Sequence, residues 1–209
     1  MDLYYSPLAC SMATRITLYE ADIPARFIGV DTRIKKLFDG SDFLAVNPIG
    51  QVPVLRTDEG ELLTENPAVL QYVADRKPES GLVPQGGMGR YRVQQWMNFT
   101  TSELHKVVFV PLLDPTANEE VKAYSRQKAE TRLSVLNDHL RGREYLTDRF
   151  TIADAYLATV LNWANYSNVD LARWPGVKGY MDRMYRRPSV ARAVEEEAAQ
   201  YREMVARRG

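Results

Sequence analysis

Cysteine occurs once in the 209 residues, as Cys10, and histidine twice, as His105 and His139. A lone cysteine forms no intramolecular disulfide, and one cysteine with two histidines cannot build a structural zinc site of the Cys/His kind, so no metal is expected. Net charge is absent too, with 27 basic side chains against 27 acidic. That removes the basic field of a nucleic-acid binder. The longest apolar run, Val107 to Leu113, falls far short of the ~20 residues of a membrane helix, so no membrane partner is expected. The opening Met-Asp-Leu-Tyr-Tyr-Ser-Pro carries neither a basic nor an apolar signal region, which predicts a cytoplasmic setting. G-x-S-x-G, Walker A, H-E-x-x-H and G-x-G-x-x-G are all missing, so hydrolase, NTPase, zinc-protease and Rossmann readings lack support.

What is present divides in two. Residues 1–85 sum to a net charge of −4 and residues 86–209 to +4, mild support for two units. In the first, Leu3-Tyr4-Tyr5 reads as a strand, and Met12, Ile16 and Tyr19 mark one face of a helix over 11–21. Arg26–Val30 reads as a second strand, completing a βαβ unit. Residues 31–46 read as loop and short helix. Val52–Thr57 and Leu62–Thr64 read as a hairpin around Asp58-Glu59-Gly60-Glu61. Asn66-Pro67 opens a helix carrying Val69, Tyr72, Val73 and Arg76. The order βαβ-ββα predicts a mixed four-stranded sheet with three helices.

Lys77–Gly89, with two prolines and four glycines, is the linker candidate between domains 1–77 and 88–209. Beyond it only helical patterns remain, so an all-α domain is predicted. One helix runs from about Arg90 toward Pro111, which should end or kink it. Another spans about Glu119–Arg141 with Ala129, Leu133, Leu136 and Leu140 on one face. Thr151-Ile152-Ala153-Asp154 has the form of a capping box. Pro175 and Pro188 look like first-turn prolines, and the charged C-terminal tail is expected to fray.

Three local features carry chemical options. Cys10 joins the first strand to the first helix, where free backbone N–H groups and the helix dipole favour thiolate. The same position also suits an inert buried cysteine. Pro53 either simply opens an edge strand or is a cis proline exposing the N–H and C=O of Val52 to a peptide-like ligand. The helix start at Asn66 is an anion site beside Glu65, which could hold an ammonium; it also serves as a plain cap. His105 on its own reads as part of a polar helix face.

Taken together, Tyr4-Tyr5-Ser6-Pro7-x-x-Cys10-Ser11, Asp42-Phe43-Leu44-Ala45-x-Asn47-Pro48-x-Gly50-Gln51-Val52-Pro53, Leu63-Thr64-Glu65 and Thr151-Ile152-Ala153-Asp154-Ala155-Tyr156 resemble the cytosolic glutathione transferase family, bacterial beta class. The resemblance covers nearly the whole chain. It implies a thioredoxin-like α/β domain followed by an all-helical domain, a homodimer, glutathione as co-substrate, and attack of the glutathione thiolate on small electrophiles. By the same resemblance Cys10 lies beside the glutathione sulfur and His105 reaches that sulfur from the helical domain. Val52 and cis Pro53 hold the cysteinyl backbone, and Glu65 and Asn66 the γ-glutamyl end. Lys35 and Lys106 lie near the ligand's charges, and Glu103, with Asn98, serves the other subunit's site. Phe109, Val110, Leu113 and Trp163 line the electrophile site. Two departures stand out: Asn66 replaces a usual Gly or Ser, and Ile49 replaces a frequent Lys. The alternatives are thiol–disulfide or peroxide chemistry on Cys10, and a non-catalytic protein binding hydrophobic ligands.

Overall fold

The computed structural model describes residues 1–206. The chain forms two compact units, one of Met1–Val83 with the segment from Pro188, the other of Pro84–Arg187.

In the first unit, β1 (Asp2–Tyr5) leads through α1 (Met12–Glu20) to β2 (Arg26–Asp31) and β3 (Lys36–Leu37). Then come β4 (Val54–Arg56), β5 (Leu62–Leu63) and α2 (Asn66–Asp75). The sheet order is β3-β2-β1-β4-β5, with β1 and β2 parallel and the other neighbours antiparallel. The period-2 geometry of a strand sends alternate side chains to opposite faces. Leu3, Tyr5 and Leu55 therefore pack with Leu18, Val69 and Val73 from α1 and α2. Tyr4 and Val54 pack on the other face with Val30, Phe43 and Val52.

The predicted βαβ-ββα order is present, and the expected four strands become five. The additional β3 lies in the segment read as loop and short helix. It pairs only Leu37 with Val30 and Lys36 with Asp31, after a turn closed by Lys35 in the left-handed region. Two residues are too few for alternation to be visible in a sequence. The helix expected from Pro188 is present as α8 (Pro188–Ala206) and packs on α1; the tail expected to fray is helical as far as Ala206, and residues 207–209 lie outside the described residues.

The second unit holds α3 (Gly87–Phe99), a π-helical segment (Thr100–Phe109), α4 (Val110–Leu113), α5 (Glu119–Leu140), α6 (Ile152–Leu161) and α7 (Pro175–Arg186). Among the described residues no strand follows Leu63. Helix α5 buries Ser125, Ala129, Leu133, Leu136 and Leu140 along one stripe. Helix α6 is buried all round, as a helix with no polar face must be. Its start is fixed by Asp154, which is fully buried. The carboxylate accepts from the N–H of Leu146 and Thr151 at 2.9 Å each, from Thr151 Oγ1 at 3.0 Å and from Tyr180 Oη at 3.2 Å. Pro175 and Pro188 both sit at the beginnings of their helices.

Candidate active site

Cys10 sits on the turn between β1 and α1. That turn is closed on itself: Ser6 N–H donates to Ser11 Oγ at 3.2 Å, and Ser11 Oγ donates to Ser6 O at 3.3 Å. Leu8 takes a positive φ of 61°, and its N–H donates to Glu197 Oε2 of α8 at 2.7 Å. Glu197 is fully buried and paired with Arg15, whose Nε lies 2.8 Å from Oε1. The Arg15 guanidinium also reaches Glu196 at 3.0 Å and lies over the rings of Tyr5 and Phe27. Burial pushes the Glu197 carboxyl up to about 7 despite the neighbouring Arg15 charge.

The helix cap is Ser11, so Cys10 precedes α1. Cys10 is half-buried, and its thiol donates to the carbonyl of Val52 at 3.2 Å. Facing a carbonyl differs from the ring of N–H groups that the sequence position suggested. The Val52–Pro53 peptide is cis. The approach to it is fixed by Asn47, whose Nδ2 donates to Gln51 O at 2.8 Å and whose Oδ1 accepts from Ile49 N–H at 3.2 Å. Lys35 donates to Gly50 O at 2.9 Å, while Ile49 is exposed.

Glu65 precedes α2 with φ 64° and ψ 112°. A non-glycine residue held there is strained, a state that tends to mark functional positions. Its carbonyl accepts the first N–H groups of α2, from Ala68 and Val69. Asn66 is buried, and its amide turns toward Cys10, donating to the Cys10 carbonyl at 3.0 Å and accepting from Thr14 Oγ1 at 3.2 Å. Cys10, Val52, Pro53, Glu65 and Asn66 are thus parts of the first unit, linked through Cys10.

In the second unit, His105 is buried on the π-helical segment. The hydroxyls of Thr101 and Ser102 bond back to the carbonyls of Met97 and Asn98 at its start, and at its end Val110 N–H donates to His105 O, five residues back. His105 Nδ1 lies 2.7 Å from Tyr156 Oη, and its ring meets Trp163 edge-on at 4.8 Å. Burial, with the Lys106 charge adding to it, lowers His105 to about 4, so the ring is neutral at pH 7. Phe109 is fully buried against Trp163, whereas Val110 and Leu113 are exposed. Lys106 and Asn98 are exposed, and Glu103 pairs with Arg132 at 2.8 Å. Sequence reasoning missed Arg132, the Arg15–Glu197 pair and the contact of Tyr156 with His105. Only the helical spacing of Tyr156 on the buried face of α6 offered a signal.

Two family models match this chain: "Glutathione S-transferase, N-terminal domain" over residues 1–75 and "Glutathione S-transferase, C-terminal domain" over residues 100–188. Glutathione S-transferase GstA of Escherichia coli O157:H7 is 42% identical over 199 residues, spanning 94% of this chain and 98% of the relative. A sphingomonad glutathione S-transferase solved with glutathione is 42% identical, with a TM-score of 0.90 over 95% of this chain and 99% of that one. The bacterial beta class enzyme of Sphingomonas chungbukensis is 40% identical, with a TM-score of 0.90 over 94% and 98%. Two family models and relatives matched along nearly their whole lengths lead to one conclusion: the chain belongs to the glutathione S-transferase family, is similar to its bacterial beta class, and is a glutathione transferase.

Proposed function

We propose that the chain acts as a cytoplasmic homodimer in detoxification-type conjugation, with Cys10 beside the glutathione sulfur. The observation that carries this reading is the meeting of the Cys10 thiol with the Val52 carbonyl at 3.2 Å, at a cis proline. A peptide-like ligand pairing with the Val52 backbone would bring its own cysteinyl group to Cys10. Glu65 and the N-terminus of α2 suit the two charges of the γ-glutamyl end, since the helix start favours an anion and Glu65 an ammonium. Lys35, Lys106, and Glu103 with Asn98 keep the roles the resemblance gives them, the last two toward the partner subunit. His105 is assigned to the same sulfur as a neutral hydrogen-bonding group. Val110 and Leu113, both exposed, are the apolar side chains open to an electrophile, and Phe109 and Trp163 pack on each other in the interior.

In conjugation the glutathione thiolate attacks an electrophilic carbon, and the leaving group departs with its electron pair. A second reading is favoured by Cys10 being only half-buried. There the Cys10 thiolate attacks one sulfur of oxidised glutathione, a mixed disulfide forms, and glutathione thiolate leaves. Mass spectrometry after incubation with oxidised glutathione, run beside turnover of a chloronitrobenzene, tests both. One glutathione per chain, together with conjugation, is the expected result. The absence of both adduct and turnover would overturn the assignment of Cys10 and its surroundings.

A further inference from the structure

We propose that Asn66 is a positioning residue for Cys10, acting through the Cys10 carbonyl and not through a bound ligand. This rests on the reading of Cys10 as the reactive thiol. The side chain is buried at the first residue of α2, and both ends of its amide are used. A backbone carbonyl can only accept, so the amide nitrogen must face Cys10 and the amide oxygen must face the Thr14 hydroxyl. The distances are 3.0 Å and 3.2 Å. The Cys10 carbonyl also accepts the N–H of Ala13 at 3.2 Å, so two donors hold it.

The geometry has a direct consequence for the sulfur. The Cys10–Ser11 peptide is the group adjoining the reactive residue, and pinning its oxygen fixes the peptide plane. The turn is held from its other side as well, through Leu8 N–H on Glu197. With both anchors in place the thiol is kept against Val52 O. Glycine at position 66 has no side chain to offer, and serine, whose hydroxyl can both donate and accept, carries it on a shorter side chain than the Asn66 amide. The backbone N–H of Asn66 stays available at the helix start whatever its side chain does. Asn66 therefore couples the start of α2 to the thiol-bearing turn.

The test uses the full-length protein and a neutral probe, 4,4′-dithiodipyridine. Cys10 is the only thiol in the chain, so released thiopyridone reports it alone. The Cys10 thiolate attacks a probe sulfur, the probe S–S bond breaks, and thiopyridone leaves with the electron pair. Asn66→Ser and Asn66→Ala are expected to displace the pH of half-maximal rate downward and to react at least threefold faster at pH 7, because a thiol released from the Val52 carbonyl loses a bond that favours its neutral form. Thr14→Val leaves the contact with Cys10 but releases the other end of the amide, and should fall between them and the wild type. Wild-type rates and pH profiles in Asn66→Ala and Thr14→Val would overturn the proposal. So would a lower denaturation midpoint with an unmoved pH profile, which is the mark of packing alone. If Asn66→Ala does not fold, Thr14→Val decides. Oxidised glutathione forms a separate arm: failure of wild-type protein to form the adduct defeats the reading of Cys10 above, while the neutral probe still decides the role of Asn66.

Discussion

Replacing Asp154 by alanine removes an acceptor shared by four donors, of which the Tyr180 hydroxyl keeps another partner, the backbone carbonyl of residue 154 at 3.3 Å. In the interior of the second unit, the N–H groups of Leu146 and Thr151, the Thr151 hydroxyl and the Tyr180 hydroxyl all converge on this carboxylate. A buried donor left unpaired costs about 1–3 kcal/mol. Taking about 2 kcal/mol for each of the other three gives a gross loss of about 6 kcal/mol. Against this stands a relief: burial pushes the Asp154 carboxyl up to about 6, so its charged form is disfavoured by about 3 kcal/mol at neutral pH, and alanine escapes that. The expected net destabilisation of Asp154→Ala is about 3 kcal/mol, above the 0.5–2 kcal/mol typical of a cap lost at a helix start. With a slope of about 2 kcal/mol per molar, the urea midpoint followed by far-ultraviolet circular dichroism should fall by about 1.5 M. Tyr180→Phe removes a donor and should cost about 1 kcal/mol. The double variant should be less destabilised than the sum of the two, because the acceptor and its donor leave together. A loss of less than 1 kcal/mol in Asp154→Ala, or strict additivity with Tyr180→Phe, would refute this account.

Three further outcomes are expected. His105 is buried neutral and held near 4, so the unfolded chain binds its proton first as pH falls from about 6.5; stability from this group is present above that pH and lost through the window, by about 3 kcal/mol in all. Urea midpoints between pH 4 and 7 check this, and the slope should flatten in His105→Phe. Arg15→Leu leaves Glu197 and Glu196 without their buried cation and should destabilise by about 3–5 kcal/mol, with Arg15→Leu/Glu197→Leu recovering part of it, read from thermal midpoints. Cys10→Ala should abolish the mixed disulfide and leave conjugation measurable, because the conjugating nucleophile is the sulfur of glutathione, whereas His105→Ala should impair both; disulfide reduction persisting in Cys10→Ala would make Cys10 a structural cysteine.

What a sequence displays depends on how local the physics is. Pro175, Pro188 and the Thr151–Asp154 box were legible because they act on backbone groups within one turn. The strands were legible where period-2 burial runs for several residues, as in β1 and β2, and illegible in β3, which exists only through pairing with β2. The start of α8 was legible from Pro188, but its extent into the charged tail was not, for a different reason. Its inner face carries Val190, Ala193, Glu197 and Met204, and a glutamate at the centre of that face disguises it as a charged tail. The disguise lifts only once Arg15, 182 residues away, is seen to neutralise it.

The same distinction separates the two levels at which the site could be read. From local sequence, Cys10 faces free N–H groups at a helix start; in the fold that place belongs to Ser11, and the thiol meets a carbonyl 42 residues away. No spacing rule foretells this contact, because it depends on how β4 and the turn before it lie beside β1. The motif resemblance nevertheless brought Cys10, Val52, Pro53 and Glu65 to notice together. A motif fixes which residues occur in which order, and the fold then decides which atoms touch. Asn66 shows what lies between the two levels. As a departure from the motif it is only a larger polar residue in the place of a usual Gly or Ser. In the fold its amide is bound at both ends, so the departure becomes a second anchor for the turn that carries the thiol.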